Sequence, residues 1–157
     1  MQTIWITGGS SGIGFSVAKK FLEKNWRVII SSRNEQKLYK AVEKLKKLTS
    51  KQDIFYKACD VSNHNDVKNT VEYIETYISK INIALLNAAA YSPNRTQEFD
   101  IENYNLLINV NLNGTINCID VLKNYMKGRN NLISVVASPV GFRGMPTAGA
   151  YGMTKAA

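Results

Sequence analysis

Short apolar runs alternate with helical periodicity from one end of this chain to the other, and that alternation constrains the fold more than any single residue does. Strand-like runs are expected at residues 3–6, 27–31, 54–58, 83–86 and 131–137. Between them, apolar residues recur at helical spacing. One helix is expected over residues 12–24. A second, over 35–49, carries Leu38, Val42, Leu45 and Leu48 on one face. A third carries Val67, Val71, Ile74 and Ile78 and is entered through a Ser/Asn-rich cap region at 62–65. A long helix is expected over 101–126 and a final one from Ala148 onward. Parallel strands need crossover connections of about this length, so the pattern predicts an α/β fold: a doubly wound parallel sheet with helices on both faces.

The chain has 157 residues, 45% of them hydrophobic, enough for a single domain with its own core. No apolar run reaches the length of a membrane span, so no membrane partner is expected. The first strand begins at Thr3 with no leader-like stretch ahead of it, and a cytoplasmic location is expected. Cys59 and Cys118 lack metal-type spacing; they are expected to be buried, reduced thiols, and no metal site is expected. The net charge is +8. Much of the excess falls on Lys37, Lys40, Lys44, Lys46, Lys47 and Lys51, along and after one helix. A single aromatic residue, Tyr39, falls among these lysines, which favours a solvated helix face over a nucleic-acid surface. A basic surface also suits an anionic cofactor. His64, the one histidine, falls in the 62–65 cap region and reads as a solvated turn residue with no assigned role.

The first strand and first helix are joined by Thr7-Gly8-Gly9-Ser10-Ser11-Gly12-Ile13-Gly14. Glycines at such a junction let the backbone turn sharply and approach a pyrophosphate resting on the N–H groups of the helix start. The alternative is a merely tight strand–helix turn. After the second strand come Ser31-Ser32-Arg33, with no acid before Glu35. An acid at that place would accept from a ribose 2′-hydroxyl and select NAD, whereas arginine accommodates a 2′-phosphate. NADP(H) is therefore expected, with NAD(H) as the alternative, unless Arg33 is only a solvated loop cation.

Near the end of the chain, Tyr151 and Lys155 stand four apart, one helical turn from each other. A free tyrosine titrates near pH ~10; a neighbouring ammonium favours the phenolate and is expected to draw that value down. Ser138 follows the fifth strand, where its hydroxyl could reach the same substrate atom. Taken singly, each has a bland reading: an interfacial aromatic, a surface cation, a turn former before Pro139.

Taken together, these motifs resemble the short-chain dehydrogenase/reductase family, over the whole chain. Thr7-Gly8-x-x-x-Gly12-Ile13-Gly14 is similar to that family's cofactor signature, with a spacing that separates it from the extended, epimerase-like branch. Asp60-Val61 resembles the pair that contacts adenine, and Asn87-Ala88 part of an Asn-Asn-Ala-Gly motif. Asn111 sits where the family carries its helix-kink asparagine, and Ser138, Tyr151 and Lys155 have its catalytic spacing. The resemblance implies an NAD(P)-binding Rossmann fold with Thr7, Gly8, Ser10, Ser11, Gly12, Ile13, Gly14, Ser32, Arg33, Asp60, Val61, Asn87, Ala88, Ala89, Tyr151 and Lys155 around the cofactor. It implies hydride transfer between NADP(H) and a carbonyl or alcohol of a small molecule. In that reaction Tyr151 is the acid or base, Lys155 tunes it and holds ribose, Ser138 polarises the carbonyl, and Asn111 keeps a water in line with Lys155.

Two departures stand out. Leu86 and Ala89 replace the first asparagine and the glycine of Asn-Asn-Ala-Gly; a methyl at Ala89 would crowd the cofactor or forbid a positive φ. The family also continues through further strands that shape the substrate pocket, so residues 1–157 are expected to be one dinucleotide-binding catalytic domain lacking its C-terminal strands. The pocket residues expected within the chain are Ala137, Pro139, Phe142, Met145 and the 91–96 loop. In the family the long helix and the terminal helix form subunit contacts, which implies a homodimer or homotetramer for a complete chain. The alternative is a non-catalytic cofactor-binding module, or an inactive fragment of such an enzyme.

Overall fold

The computed structural model describes residues 1–93 and 99–157. Its first strand, β1 (Thr3–Thr7), is buried along its whole length, as the middle strand of a sheet covered on both faces must be. Helix α1 (Gly12–Glu23) leads to β2 (Arg27–Ser32), α2 (Glu35–Thr49) to β3 (Ile54–Ala58), and α3 (His64–Tyr73) to β4 (Ile83–Leu86). Helices α4 (Ile101–Leu107) and α5 (Gly114–Met126) precede β5 (Leu132–Val135), and α6 (Gly149–Ala156) follows it. Among the described residues the strands form one parallel sheet in the order β3-β2-β1-β4-β5, the expected doubly wound arrangement.

Alternation along β1 divides the core in two. Trp5 faces α3 and α5 with Ile29, Val67, Val71, Ile74 and Leu122; its Nε1–H donates to Ser31 Oγ at 3.0 Å, so the indole's polar end is satisfied inside. Ile4 and Ile6 face the other way, packing with Ala18, Leu22, Leu38 and Leu45 of α1 and α2. Asparagines cap both α2 and α3: Asn34 Oδ1 accepts from Lys37 N at 2.9 Å, and Asn63 Oδ1, within the expected 62–65 cap region, from Asp66 N at 3.1 Å.

Four expectations need correction. The helix expected over 101–126 is interrupted by a π-helical turn, Ile108–Asn113, and the third helix ends in another, Ile74–Ile78. Such an insertion shifts the helical register to re-aim a side chain, which hydrophobic spacing does not report. Leu48, next to the last residue of α2, does not join the buried face that Leu38, Val42 and Leu45 form and is 51% exposed. His64 is no free turn residue: it opens α3, and its Nε2 lies 2.9 Å from Asp120 Oδ2 on α5. Lastly, β5 is shorter than expected at both ends, although Val136 N still donates to Leu86 O at 3.1 Å.

Candidate active site and cofactor cleft

The glycine-rich turn, the ends of β2 and β3, and the segment after β4 meet at the carboxyl ends of the strands. They enclose a cleft of about 490 Å³, lined in part by Gly8, Ser10, Ser11, Ser32, Arg33, Asp60, Val61, Asn87, Ala88 and Ala89. All ten were expected around a cofactor. Thr7, Gly12, Ile13, Gly14, Tyr151 and Lys155, also expected there, do not line it. Thr7 is buried beneath, where its Oγ1 accepts from both Asn87 N and Ala88 N at 3.0 Å, fixing the turn after β4. Gly12 lines an adjoining groove with Ser10, Ser11 and Phe15, and Ile13 points outward.

Asn87 locks the glycine turn from the far side. Its Nδ2 donates to Thr7 O at 3.0 Å and Gly8 O at 3.2 Å. Gly8 has φ +66°, and Gly14 packs so closely that a Cβ there would lie 2.6 Å from Gly8 O and 2.8 Å from Asn87 Nδ2. Gly14→Ala is thus expected to destabilise the fold by about 1–3 kcal/mol, the usual cost of overpacking, and urea unfolding should show it. A midpoint equal to that of the parent would mean that the turn is not held as tightly as these contacts require.

The fit to a pyrophosphate rests on the start of α1. Ser11, at its N-cap and in the cleft lining, makes no side-chain cap bond, and the first turn holds no acidic residue, so the helix start carries no protein anion of its own. Arg33 and Lys37 stand at the β2–α2 side, and neither has an acidic partner among the described residues. Asp60 lines the cleft, with its Oδ1 accepting from Ser62 N at 3.0 Å and from Ser62 Oγ at 2.7 Å. Ala89 is exposed into the cleft and does not adopt positive φ, so the alanine carries no backbone strain. Leu86 is buried in the core between sheet and helices.

The lining stops at Ala89 and Val110, next to a pair that ties the cleft to α6. Asn111, buried in the π turn, accepts from Ala90 N at 2.7 Å and donates from Nδ2 to Ala90 O and Thr154 Oγ1, both at 3.0 Å. Thr154 Oγ1 donates in turn to Tyr151 O at 2.8 Å. The Asn111 side chain therefore holds the backbone beside Lys155 and not Lys155 itself. Lys155 Nζ donates to Val136 O at 2.9 Å and sits 5.8 Å from the Tyr151 ring centre. Partial burial holds the Lys155 ammonium below its ordinary value of 10.5. The Tyr151 ring also packs in a T-shaped pair with Tyr91, ring centres 5.0 Å apart. Ser138 caps the 3-10 turn Pro139–Gly141, its Oγ accepting from Val140 N at 3.4 Å, and that turn packs on α6. Lys155, in the last turn of α6, thus reaches both the segment after β5 and the Tyr151 ring, and the turn that Ser138 caps packs on the same helix.

Sequence reading missed Lys37, Thr154 and Ala90. Lys37 was legible in principle, one turn beyond Arg33 in an Asn-capped helix; the other two act through contacts distant in sequence. Of the expected substrate-pocket residues, Phe142 and Met145 are exposed, and residues 94–96 of the 91–96 loop lie outside the described residues. Cys59 and Cys118 are buried free thiols, pushed up by burial to about 11 and about 12. No helix among the described residues is long and apolar enough to cross a membrane, and no cluster among them could hold a metal ion.

Known proteins share this arrangement. The chain is 32% identical over 158 residues to a chloroplastic chlorophyll(ide) b reductase of Oryza sativa subsp. japonica, covering 97% of the chain and 46% of that protein. It is 31% identical over 156 residues to a 3-oxoacyl-[acyl-carrier-protein] reductase of Chlamydia trachomatis, covering 99% and 62%. The chain thus spans about half to two thirds of the length of these curated relatives. Among solved structures, an alcohol dehydrogenase from the archaeon Thermococcus sibiricus, complexed with 5-hydroxy-NADP, superposes with a TM-score of 0.90 at 26% identity, over 99% of this chain and 66% of that one. With the family model for short chain dehydrogenases matching residues 2–157, and the same sheet, glycine turn and terminal helix in place, the chain belongs to the short chain dehydrogenase family.

Proposed function

We propose that the protein carries the cofactor and acid–base half of an NADP(H)-dependent oxidoreductase that interconverts a carbonyl and an alcohol on a small molecule. The observation that supports this reading is the cleft at the carboxyl ends of the strands, lined by Gly8, Ser10, Ser11, Arg33 and Asp60, together with Lys155 set against the end of β5 and 5.8 Å from the Tyr151 ring centre. The cleft residues Gly8, Ser10, Ser11, Arg33, Asp60 and Ala88 would hold the dinucleotide, which when bound supplies or accepts the hydride. Tyr151 gives its phenolic proton to the carbonyl oxygen in reduction and takes it back in oxidation. Lys155, beside the ring, stabilises the phenolate left behind. Ser138 donates to the same oxygen as negative charge develops there. Asn111 aligns this machinery by holding Ala90 and Thr154, keeping Lys155 on a path by which a proton can return. Two unpaired buried thiols fit a reducing cytoplasm. A homodimer or homotetramer, formed through the α5 and α6 side, belongs to the same proposal.

Arg33 tests the cofactor assignment. Replacing it with alanine should weaken NADPH binding by about tenfold or more, the worth of a charge-assisted contact to phosphate, and leave NADH within about twofold. Nucleotide fluorescence titration measures both, and an unchanged preference would place the 2′-phosphate elsewhere. Oxidation of NADPH in the presence of a panel of aldehydes, ketones and keto-thioesters tests the reaction itself.

A further inference from the structure

The cleft has a second cation that the reading above does not use. Lys37 lies in the first turn of α2, one helical turn beyond Arg33, and Asn34 Oδ1 fixes that turn by accepting from Lys37 N at 2.9 Å. Both side chains line the 490 Å³ cleft, both are exposed, and neither meets a carboxylate among the described residues. Lys37 also lines the adjoining groove, where Ser10, Ser11 and Gly12 face Lys40 and Lys44. It therefore stands where the two hollows join, across the opening from the serines of the glycine turn. An arginine fork and a mobile ammonium on one side, with serine hydroxyls on the other, make a surround for a dianion such as a phosphate monoester. A neutral ribose hydroxyl would have no use for the second charge. The other lysines of α2 differ: Lys40 and Lys44 line the groove but not the cleft, Lys46 pairs with Glu43 at 3.1 Å, and Lys47 lines neither hollow.

We propose that Lys37 is a second determinant of cofactor choice, gripping the 2′-phosphate of NADP(H) together with Arg33. The inference rests on the cofactor reading above, and the experiment separates the two. NADPH and NADH are titrated into the parent protein and into its Lys37→Ala, Lys37→Arg and Lys47→Ala variants at low and at raised salt. Lys37→Ala should weaken NADPH by about tenfold and NADH by less than about twofold, and flatten the salt dependence of NADPH binding. Lys37→Arg should keep the parent's preference. Lys47→Ala, which removes the same charge from the same helix away from the cleft, should match the parent. Equal weakening of both nucleotides in Lys37→Ala, no weakening of either, or an equal effect from Lys47→Ala would overturn the role of Lys37 and leave the Arg33 assignment standing. A parent protein that binds neither nucleotide would overturn both.

Discussion

Replacing Tyr151 with phenylalanine is expected to lower NADPH-dependent carbonyl reduction by about a thousandfold, within the range that a positioned acid–base group supplies, while NADPH affinity stays within about twofold. The ring's surroundings make this a clean deletion. Tyr91 forms a T-shaped pair with it and Lys155 lies 5.8 Å from its centre, and a phenyl ring keeps both contacts. Only the proton carrier is lost. Turnover in the variant equal to that of the parent would end the acid–base assignment. The pH profile supplies an independent check, because burial makes Lys155 lose its charge at a lower pH than a free lysine. Rate and affinity that depend on that charge should hold on the acidic side and fall as pH rises through the depressed value, before 10.5 is reached. The sign for stability is opposite. The unfolded chain binds this proton more tightly, so the buried ammonium costs stability below its folded value, and the cost fades as pH rises towards the unfolded one. Lys155→Met should therefore erase the alkaline fall in rate without making the fold less stable on that side.

Most of the fold was legible because it is set by local pattern. Alternation of apolar runs gave the strands within a residue or two, and the Ser/Asn-rich region at 62–65, which holds the Asn63 cap, announced the third helix. The glycine turn was legible for the same reason: Gly8 and Gly14 are demanded by a positive φ and by a close approach, both tied to a strand–helix junction. What stayed hidden depends on partners far apart in the chain. The π turn at Ile108–Asn113 is marked by no hydrophobic period; it is held by Asn111 reaching Ala90 and Thr154, the latter 43 residues away. His64 looked solvated because its partner Asp120 lies 56 residues on. The motif match located Asn111, but a role near Lys155 did not reveal that its side chain is wholly engaged with backbone and threonine. Lys37 was overlooked for the converse reason. Among six lysines along and just after α2 its charge looked like part of a solvated face, and only the cleft's shape separates it from Lys47.

Glu75 was hidden most completely, and its removal should have the largest effect on stability. In sequence it is one acid in a helical run; in the structure its side chain is 1% exposed. The carboxylate accepts from Ile81 N at 2.8 Å and from Arg129 Nη1 at 3.0 and 3.3 Å, with Lys80 Nζ 3.4 Å away. It therefore joins the π turn Ile74–Ile78, the approach to β4 and the turn between α5 and β5. Glu75→Ala leaves the Ile81 N–H buried without its acceptor and Arg129 without its counter-charge, and should cost about 3–5 kcal/mol in urea unfolding. Glu75→Gln keeps an acceptor for Ile81 and should cost less. Arg129→Ala should also be mild, since Arg129 is partly solvated and Lys80 remains beside the carboxylate. The double variant, Glu75→Ala with Arg129→Ala, should be less destabilised than the sum of its parts, because one change removes the partner that the other strands. Additive costs would mean that the ion pair is incidental and that Glu75 serves only the Ile81 N–H. The strands it anchors carry Asn87 and Ser138 beyond their opposite ends, so a loss here should loosen the glycine turn and the α6 platform together. Hydrogen exchange at Ala88 and Val140, faster in Glu75→Ala than in the parent under native conditions, would register that coupling.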